Sequence, residues 1–114
     1  MIVPAADVRL VLTTTASRQE AERIARSLVE ARLAACVNII PGLTSIYRWQ
    51  DAVETAGELL LVIKTTAANL AALEVAINRL HSYQMPELLV LTPESASEAY
   101  LDWLLDAAAH PSQE

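Results

Sequence analysis

One long stretch of the chain constrains its fold more than any other feature. Residues 33–49, LAACVNIIPGLTSIYRW, run from a helix end into an apolar strand, bend at Pro41-Gly42 and continue as an alternating strand. Residues 57–65, GELLLVIKT, supply a second strand that can pair with the first. At ~3.3 Å per residue the first strand could reach about 50 Å, whereas a domain of this length has a radius of gyration of only ~13 Å. We therefore expect the hairpin to overhang its own domain and to bury its apolar sides against other copies of the chain.

The composition is typical of one domain that shares its surface with a partner. A chain of 114 residues is expected to form a single domain, with a core at about residues 7–109 and a flexible tail at 110–114. Hydrophobic residues make up 54% of the chain, above the usual ~45–50%, which favours burial between subunits. The net charge of −6 argues against nucleic acid and anionic membranes as main partners.

The expected location is the cytoplasm. The apolar runs are far shorter than the ~20 residues that cross a bilayer. The start, MIVPAADVRL, lacks the basic region of a signal peptide. Cys36 is the single cysteine and cannot form an internal disulfide, which fits a reducing compartment.

Strand and helix patterns alternate along the chain. The capping boxes Ser17-Arg-Gln-Glu20 and Ser95-Ala-Ser-Glu98 are expected to open the first and third helices, each with a carboxylate that reaches back to its serine. Pro41 cannot donate to a strand ladder, so a bulge or bend is expected there. The expected strands are 8–13, 34–49, 53–65 and 87–92, and the expected helices are 17–33, 66–80 and from 95 onwards.

This order of elements predicts an α+β fold. It matches the ferredoxin-like βαββαβ arrangement, with an antiparallel sheet, a long hairpin of the second and third strands and an extra C-terminal helix. The helices are expected on one face of the sheet. The other face is then bare and must find a partner.

Few residues could carry chemistry, and no strong catalytic motif is present. The two glycines lie far apart, which excludes glycine-rich phosphate loops. Cys36 and His81 could form a nucleophile pair, but Cys36 lies in an apolar strand, where a thiol is more often a core residue. We therefore expect no enzymatic activity.

Two groups of residues suggest binding sites. The segment His81-Ser-Tyr83-Gln-Met-Pro-Glu87 offers an imidazole, a thioether and a carboxylate within seven residues. It is either a helix end followed by a turn or a ligand site that uses His81 or Glu87. Tyr47, Trp49 and Lys64 come from the same hairpin and could pack at a subunit interface or line a pocket between subunits.

Three segments closely resemble the CutA family of divalent-cation tolerance proteins. They are ARLAACVNIIPGLTSIYRW, ELLLVIKTT, and LHSYQMPELLVL followed by AYLDWL, and the match runs in order from Leu10 to Leu105. The resemblance implies a ferredoxin-like subunit in a compact homotrimer held by its long strands, a cytoplasmic role in tolerance of copper and other divalent metal ions, and no enzyme activity. It also implies clefts between subunits that gather Cys36, Tyr47, Trp49, Lys64, His81 and Glu87, to which we add Tyr83.

The chain departs from the family pattern where metal chemistry matters. Relatives with a copper site are associated with a cysteine at the end of the first strand and two adjacent histidines before the proline-tyrosine turn. Here the corresponding positions hold Thr13 and Leu80-His81, and Ser82 replaces the proline. One soft ligand and one imidazole are missing, so weak metal binding is expected.

Two functional hypotheses follow. In the first, a trimeric metal-tolerance protein binds Cu²⁺ or another divalent cation weakly through His81 and Glu87. In the second, the assembly resembles the PII signalling proteins, and its cleft binds a small anionic metabolite or a protein segment. Lys64 then supplies the charge, and Tyr47 and Trp49 supply apolar walls.

Overall fold

The computed structural model describes residues 1–109, so the tail expected at 110–114 lies outside the described residues. The described part contains strands β1 (Ile2–Pro4), β2 (Val8–Thr15), β3 (Cys36–Trp49), β4 (Ala52–Thr66), β5 (Leu89–Leu91) and β6 (Ser95–Ser97). Its helices are α1 (Arg18–Glu30), α2 (Leu70–Leu80), which follows a 3₁₀ turn at Ala67–Asn69, and α3 (Glu98–Ala107).

The main sheet is antiparallel, with the strand order β3-β4-β2-β5. α1 and α2 cover one of its faces, because alternate strand residues and one stripe of each helix are apolar and meet there. The predicted α+β, ferredoxin-like fold is confirmed. The side chains at the centre of this core are Val11, Ile24, Leu28, Leu61, Ile63, Leu73 and Ile77.

The β3–β4 hairpin is as long as predicted. It ends in a two-residue turn at Gln50 and Asp51, both with positive φ, as in the turns that match strand twist. The pairing register shifts between Ile40 and Leu43, which confirms the irregularity expected at Pro41. Gly42 has φ +84° there, a conformation that costs glycine little.

The outer part of this hairpin, residues 43–58, extends beyond the rest of the sheet and is called the overhang below. β2 stops at Thr15, opposite Leu59, so from Ala52 to Glu58 the edge of β4 that faces away from β3 pairs with no strand of residues 1–109. The chain is consequently 46 Å long but only 29 × 23 Å in its other dimensions. The predicted overhang is confirmed.

The second face of the sheet, opposite α1 and α2, is called the open face. At one end of this face α3 packs against Val8, which is only 4% exposed, so the prediction that the helices leave the second face bare is wrong for α3. Over the rest of the face the side chains are only partly covered in the single chain, and Leu89 remains 56% exposed. Most of the side chains on the open face are apolar, and they lie beside one another on neighbouring strands. These side chains are Leu10, Leu12, Ile40, Leu60, Val62, Leu89 and Leu91.

The N-terminus and the start of α3 differ from the prediction. Ser95–Ser97 is extended and pairs with Ile2–Pro4, so the helix starts at Glu98 and is capped by Ser97, whose hydroxyl accepts the Tyr100 N–H. The capping box predicted at Ser95 is wrong because tertiary pairing holds that residue in a strand. No helix within residues 1–109 is both long and apolar enough to cross a membrane.

Candidate functional site

A groove of about 850 Å³ lies between the overhang and the segment that follows α2. Its lining is largely apolar and aromatic, with a few charged and hydroxyl groups among the apolar side chains. The lining residues are Thr14, Ser45, Ile46, Tyr47, Arg48, Trp49, Glu58, Tyr83, Gln84, Met85, Pro86, Glu87, Leu88 and Leu89.

His81 fixes the turn that leads into the groove wall. Its side chain is fully buried, and its Nε2 lies 2.7 Å from the Thr14 carbonyl oxygen. Its Nδ1 accepts the Tyr83 N–H at 3.0 Å. A carbonyl oxygen can only accept, so the proton sits on Nε2 and the ring is the neutral tautomer. Both ring nitrogens therefore have protein partners.

Glu20 supports the same turn from α1. Its Oε2 accepts the Ser82 N–H at 2.6 Å and lies 3.8 Å from the His81 Nδ1. Ser17 accepts the Glu20 N–H, which confirms the first half of the predicted capping box. The second half is wrong, because the Glu20 carboxylate is directed to Ser82.

A short hydrogen bond joins the groove's two sides. The Tyr83 hydroxyl donates to Glu58 Oε2 at 2.6 Å. Burial alone raises the pKa of Glu58, but hydrogen bonds from Ser45, Tyr83 and Thr14 outweigh it and hold that pKa below its ordinary value. Burial, followed by the hydrogen bond to this carboxylate, raises the pKa of Tyr83. Glu58 is therefore an ionised, hydroxyl-bonded carboxylate at neutral pH.

Glu87 is the second carboxylate of the groove. Partial burial raises its pKa, and the negative charge of Glu58 raises it further. The two acids are thus close enough to influence each other across the groove. Among the described lining residues, Arg48 is the one side chain with a positive charge.

Within one chain the structure places all the predicted site residues except His81 in two separate groups. Tyr47, Trp49, Tyr83 and Glu87 line the groove. Lys64 does not, since it stands six residues from Glu58 along β4, or about 20 Å away at ~3.3 Å per residue.

The second group lies near α3. Cys36 is the direct cross-strand partner of Lys64, whose Nζ is 5.7 Å from the centre of the Tyr100 ring. His81 belongs to neither group, because it is buried beneath the turn. The fold does not bring Cys36 and His81 together as a nucleophile pair. Cys36 lies beside the Leu10 position of β2, whereas His81 contacts Thr14, which is four residues or roughly 13 Å further along that strand.

Residues 1–109 contain no group of three or more His, Cys, Asp or Glu side chains that could hold a metal ion. Thr13 is completely buried on the helix-covered face. It therefore does not reach the groove.

Sequence reasoning missed Glu58 as a groove residue. The sequence does contain an indication of it: Glu58 is a carboxylate near the start of an apolar stretch. Because alternate strand residues share a face, it lies on the same face of β4 as Leu60 and Val62. Its importance depends on Tyr83, which is distant in sequence and comes into contact only through the fold.

The fold and the groove together define a class of protein: a single ferredoxin-like domain with an overhanging hairpin and an aromatic, acidic groove beside it. A sequence model of the family described as CutA1 divalent ion tolerance protein matches residues 9–107. The chain belongs to this family.

Individual relatives agree with this assignment. The divalent-cation tolerance protein CutA of Thermus thermophilus is 50% identical over 83% of this chain and 92% of its own length. The structure of CutA from Synechococcus elongatus superimposes with a TM-score of 0.91 at 44% identity and covers 96% of both chains. A second structure of that protein, described as complexed with a Bis-Tris molecule, has a TM-score of 0.88 and covers 94% of this chain and 99% of its own.

Proposed function

We propose that the chain acts in divalent-cation tolerance as a cytoplasmic homotrimer without enzymatic activity. In this proposal it binds copper and other divalent cations weakly, in grooves at the clefts between subunits. Family membership and the names of the relatives support the general role. The open face and the groove support the specific parts.

The open face supports the trimer. Ile40, Leu89 and Leu91 are between 44% and 56% exposed in the single chain, and the overhang has one unpaired strand edge. Apolar surface gains roughly 25 cal/mol for each Å² removed from water, and unpaired strand edges readily accept another strand. Packing against further copies of the chain would bury the apolar surface and pair the strand edge.

The pair Glu58 and Glu87 is the observation that carries the cation part. Glu58 is partly buried and Glu87 is exposed, and the negative charge of Glu58 raises the pKa of Glu87. A divalent cation between them relieves this repulsion, and carboxylate oxygens are suitable ligands for hard divalent ions. Two protein ligands completed by water give weak binding.

The proposal assigns His81 a supporting role. Direct ligation through Nδ1 requires the ring to release the Tyr83 N–H, and ligation through Nε2 requires it to release Thr14. In its present position the ring sets the path of the segment that presents Glu87. A side chain that orients the residues around an ion can change metal affinity without contacting the ion itself.

Isothermal titration of the metal-free protein with Cu²⁺ and Mn²⁺ tests the proposal. We expect weak, stoichiometric binding to the wild type and about tenfold weaker binding to Glu87→Gln, equivalent to ~1.4 kcal/mol. Glu94→Gln, an exposed acid outside the groove, is the matched control and should bind as the wild type does.

His81→Ala separates direct from indirect action. A supporting role predicts a smaller loss of affinity than Glu87→Gln causes, together with a disturbed 81–83 turn in amide spectra. Identical, non-stoichiometric heats for the wild type and Glu87→Gln would contradict cation binding in the groove.

A further inference from the structure

We infer that His81 is a pH-sensitive switch for the segment that follows α2. In the neutral ring Nδ1 accepts the Tyr83 N–H, and in the protonated ring it donates to Glu20 and releases Tyr83. The inference concerns side chains that are buried within one chain. It does not depend on metal binding or on a ligand in the groove.

The switch consists of one nitrogen with two alternative partners. His81 Nδ1 accepts the Tyr83 N–H at 3.0 Å, and the same atom lies 3.8 Å from Glu20 Oε2. A backbone N–H can only donate to the ring, whereas an ionised carboxylate can only accept from it. The first contact therefore requires a bare nitrogen and the second requires a protonated one. The two contacts exclude each other, so the charge of the ring decides which one forms.

The other contacts of the ring and the carboxylate can persist in both states. His81 Nε2 lies 2.7 Å from the Thr14 carbonyl oxygen and carries a proton whether the ring is neutral or charged. Glu20 Oε2 accepts the Ser82 N–H at 2.6 Å, and a carboxylate oxygen has a second lone pair for the imidazolium. Shortening the 3.8 Å separation to the ~2.8 Å of a charge-assisted hydrogen bond takes a movement of about 1 Å.

Four ionisable groups surround the ring. From α1, the negative charge of Glu20 favours the imidazolium, and the Arg23 guanidinium, 4.0 Å from Glu20 Oε2, opposes it. From β4, Glu58 accepts the hydrogen bond of the Tyr83 hydroxyl. Tyr83 itself stays a neutral phenol, because burial and this carboxylate raise its pKa. Glu20 is therefore the one carboxylate in direct reach of the ring among the described residues.

Assembly leaves the immediate surroundings of the switch unchanged. In the single chain the His81 side chain is 0% exposed and the Glu20 side chain is 7% exposed. Other subunits can therefore reach almost none of the surface of either group.

Proton uptake by His81 changes the path of the segment that it anchors. The Tyr83 N–H is partly buried and loses its acceptor, and a buried N–H without a partner is unfavourable. The turn at Ser82 and Tyr83 must then rearrange. Because the Tyr83 hydroxyl is bonded to Glu58, the rearrangement reaches the start of the paired part of β4.

Nuclear magnetic resonance of the metal-free, ¹⁵N-labelled protein in EDTA tests the switch. The chain has two histidines, and His110→Gln leaves His81 as the single imidazole. Spectra start at about pH 8, above the range in which imidazole ordinarily changes charge, and continue to the onset of acid unfolding. At the upper pH we expect ring signals of the neutral tautomer with its proton on Nε2. On acidification the ring signals and the Tyr83 amide signal should change with one common midpoint.

Glu20→Gln, added to this protein, tests the second partner of the nitrogen. It keeps an oxygen for the Ser82 N–H but removes the negative charge, so the common midpoint should fall by about one pH unit. Glu22→Gln, an exposed acid on the same helix, is the matched control and should leave the midpoint unchanged.

Three results would overturn the inference: a ring that does not titrate while the protein stays folded, a Tyr83 amide that does not follow the ring, or equal midpoints in the two variants. The Cu²⁺ titration is a separate measurement, so any of these results leaves the proposed cation site standing.

Discussion

At the scale of single residues, the Tyr83 hydroxyl connects the groove's two sides. Replacing it in Tyr83→Phe removes the 2.6 Å hydrogen bond to Glu58. A hydrogen bond to a charged group contributes about 1.5–3 kcal/mol, and partial exposure of this one places the expected loss near the lower value. Urea unfolding of both proteins at neutral pH measures the difference. Tyr100→Phe, a hydroxyl change at the other end of the open face, is the control.

The same substitution has a pH dependence with a defined sign. The folded-state pKa of Glu58 lies below its ordinary value of 4.5, so the ionised carboxylate stabilises the fold above that value. This contribution is lost as the pH falls through the folded-state pKa. The stability gap between the wild type and Tyr83→Phe should therefore be largest near neutral pH and shrink as the pH falls below 4.5 and through the folded-state pKa. A gap that stays constant with pH would contradict the role given to Glu58.

The sequence shows which residue types could form a site, but it does not show how far apart these residues lie in the fold. Tyr47 and Trp49 stand out in sequence because large aromatics at the end of a strand rarely lack a partner. Whether Lys64 lies beside them depends on the pairing register of the hairpin. In the structure Lys64 pairs with Cys36 and Tyr47 pairs with Glu54, so Lys64 is far from both aromatic residues. Glu58 does not stand out in the sequence as a site residue, because its hydroxyl donors Thr14, Ser45 and Tyr83 come from three separate segments of the chain.

At the scale of elements, α1 is coupled to the turn after α2. Ser17→Ala removes the helix cap and is expected to cost about 1 kcal/mol. Glu20→Ala removes a charge-assisted hydrogen bond to the Ser82 N–H and is expected to cost about 2 kcal/mol.

The double variant distinguishes this arrangement from a capping box. Because the Glu20 side chain bonds to Ser82, the two costs should add within about 0.5 kcal/mol. A reciprocal capping box would instead make them strongly non-additive. The Ser82 amide resonance should move in Glu20→Ala and stay in place in Ser17→Ala.

The order of the elements was predictable because its signals are local. Apolar periodicity, the Ser17 cap and Pro41 each act within a few residues, and each was interpreted correctly. The β1–β6 pairing was missed because Ile2–Pro4 and Ser95–Ser97 are short, carry a proline or only small residues, and adopt strand structure only against each other. Tertiary contacts overrode the local capping signal there.

At the scale of the whole molecule, the open face predicts assembly, and a charge placed on it should prevent assembly. Val62 is a central residue of β4 on that face, so Val62→Lys is expected to convert a trimer, with three times the 12.4 kDa chain mass, into single chains of lower stability. Val75→Lys is the matched control, because Val75 is 57% exposed on α2, away from the open face.

Sedimentation velocity over a range of concentrations measures the mass of all three proteins. A wild type that sediments as one folded chain, or a Val62→Lys protein that keeps the wild-type mass, would show that the overhang and the open face are stable without partners. The groove would then have to function as a site within one subunit.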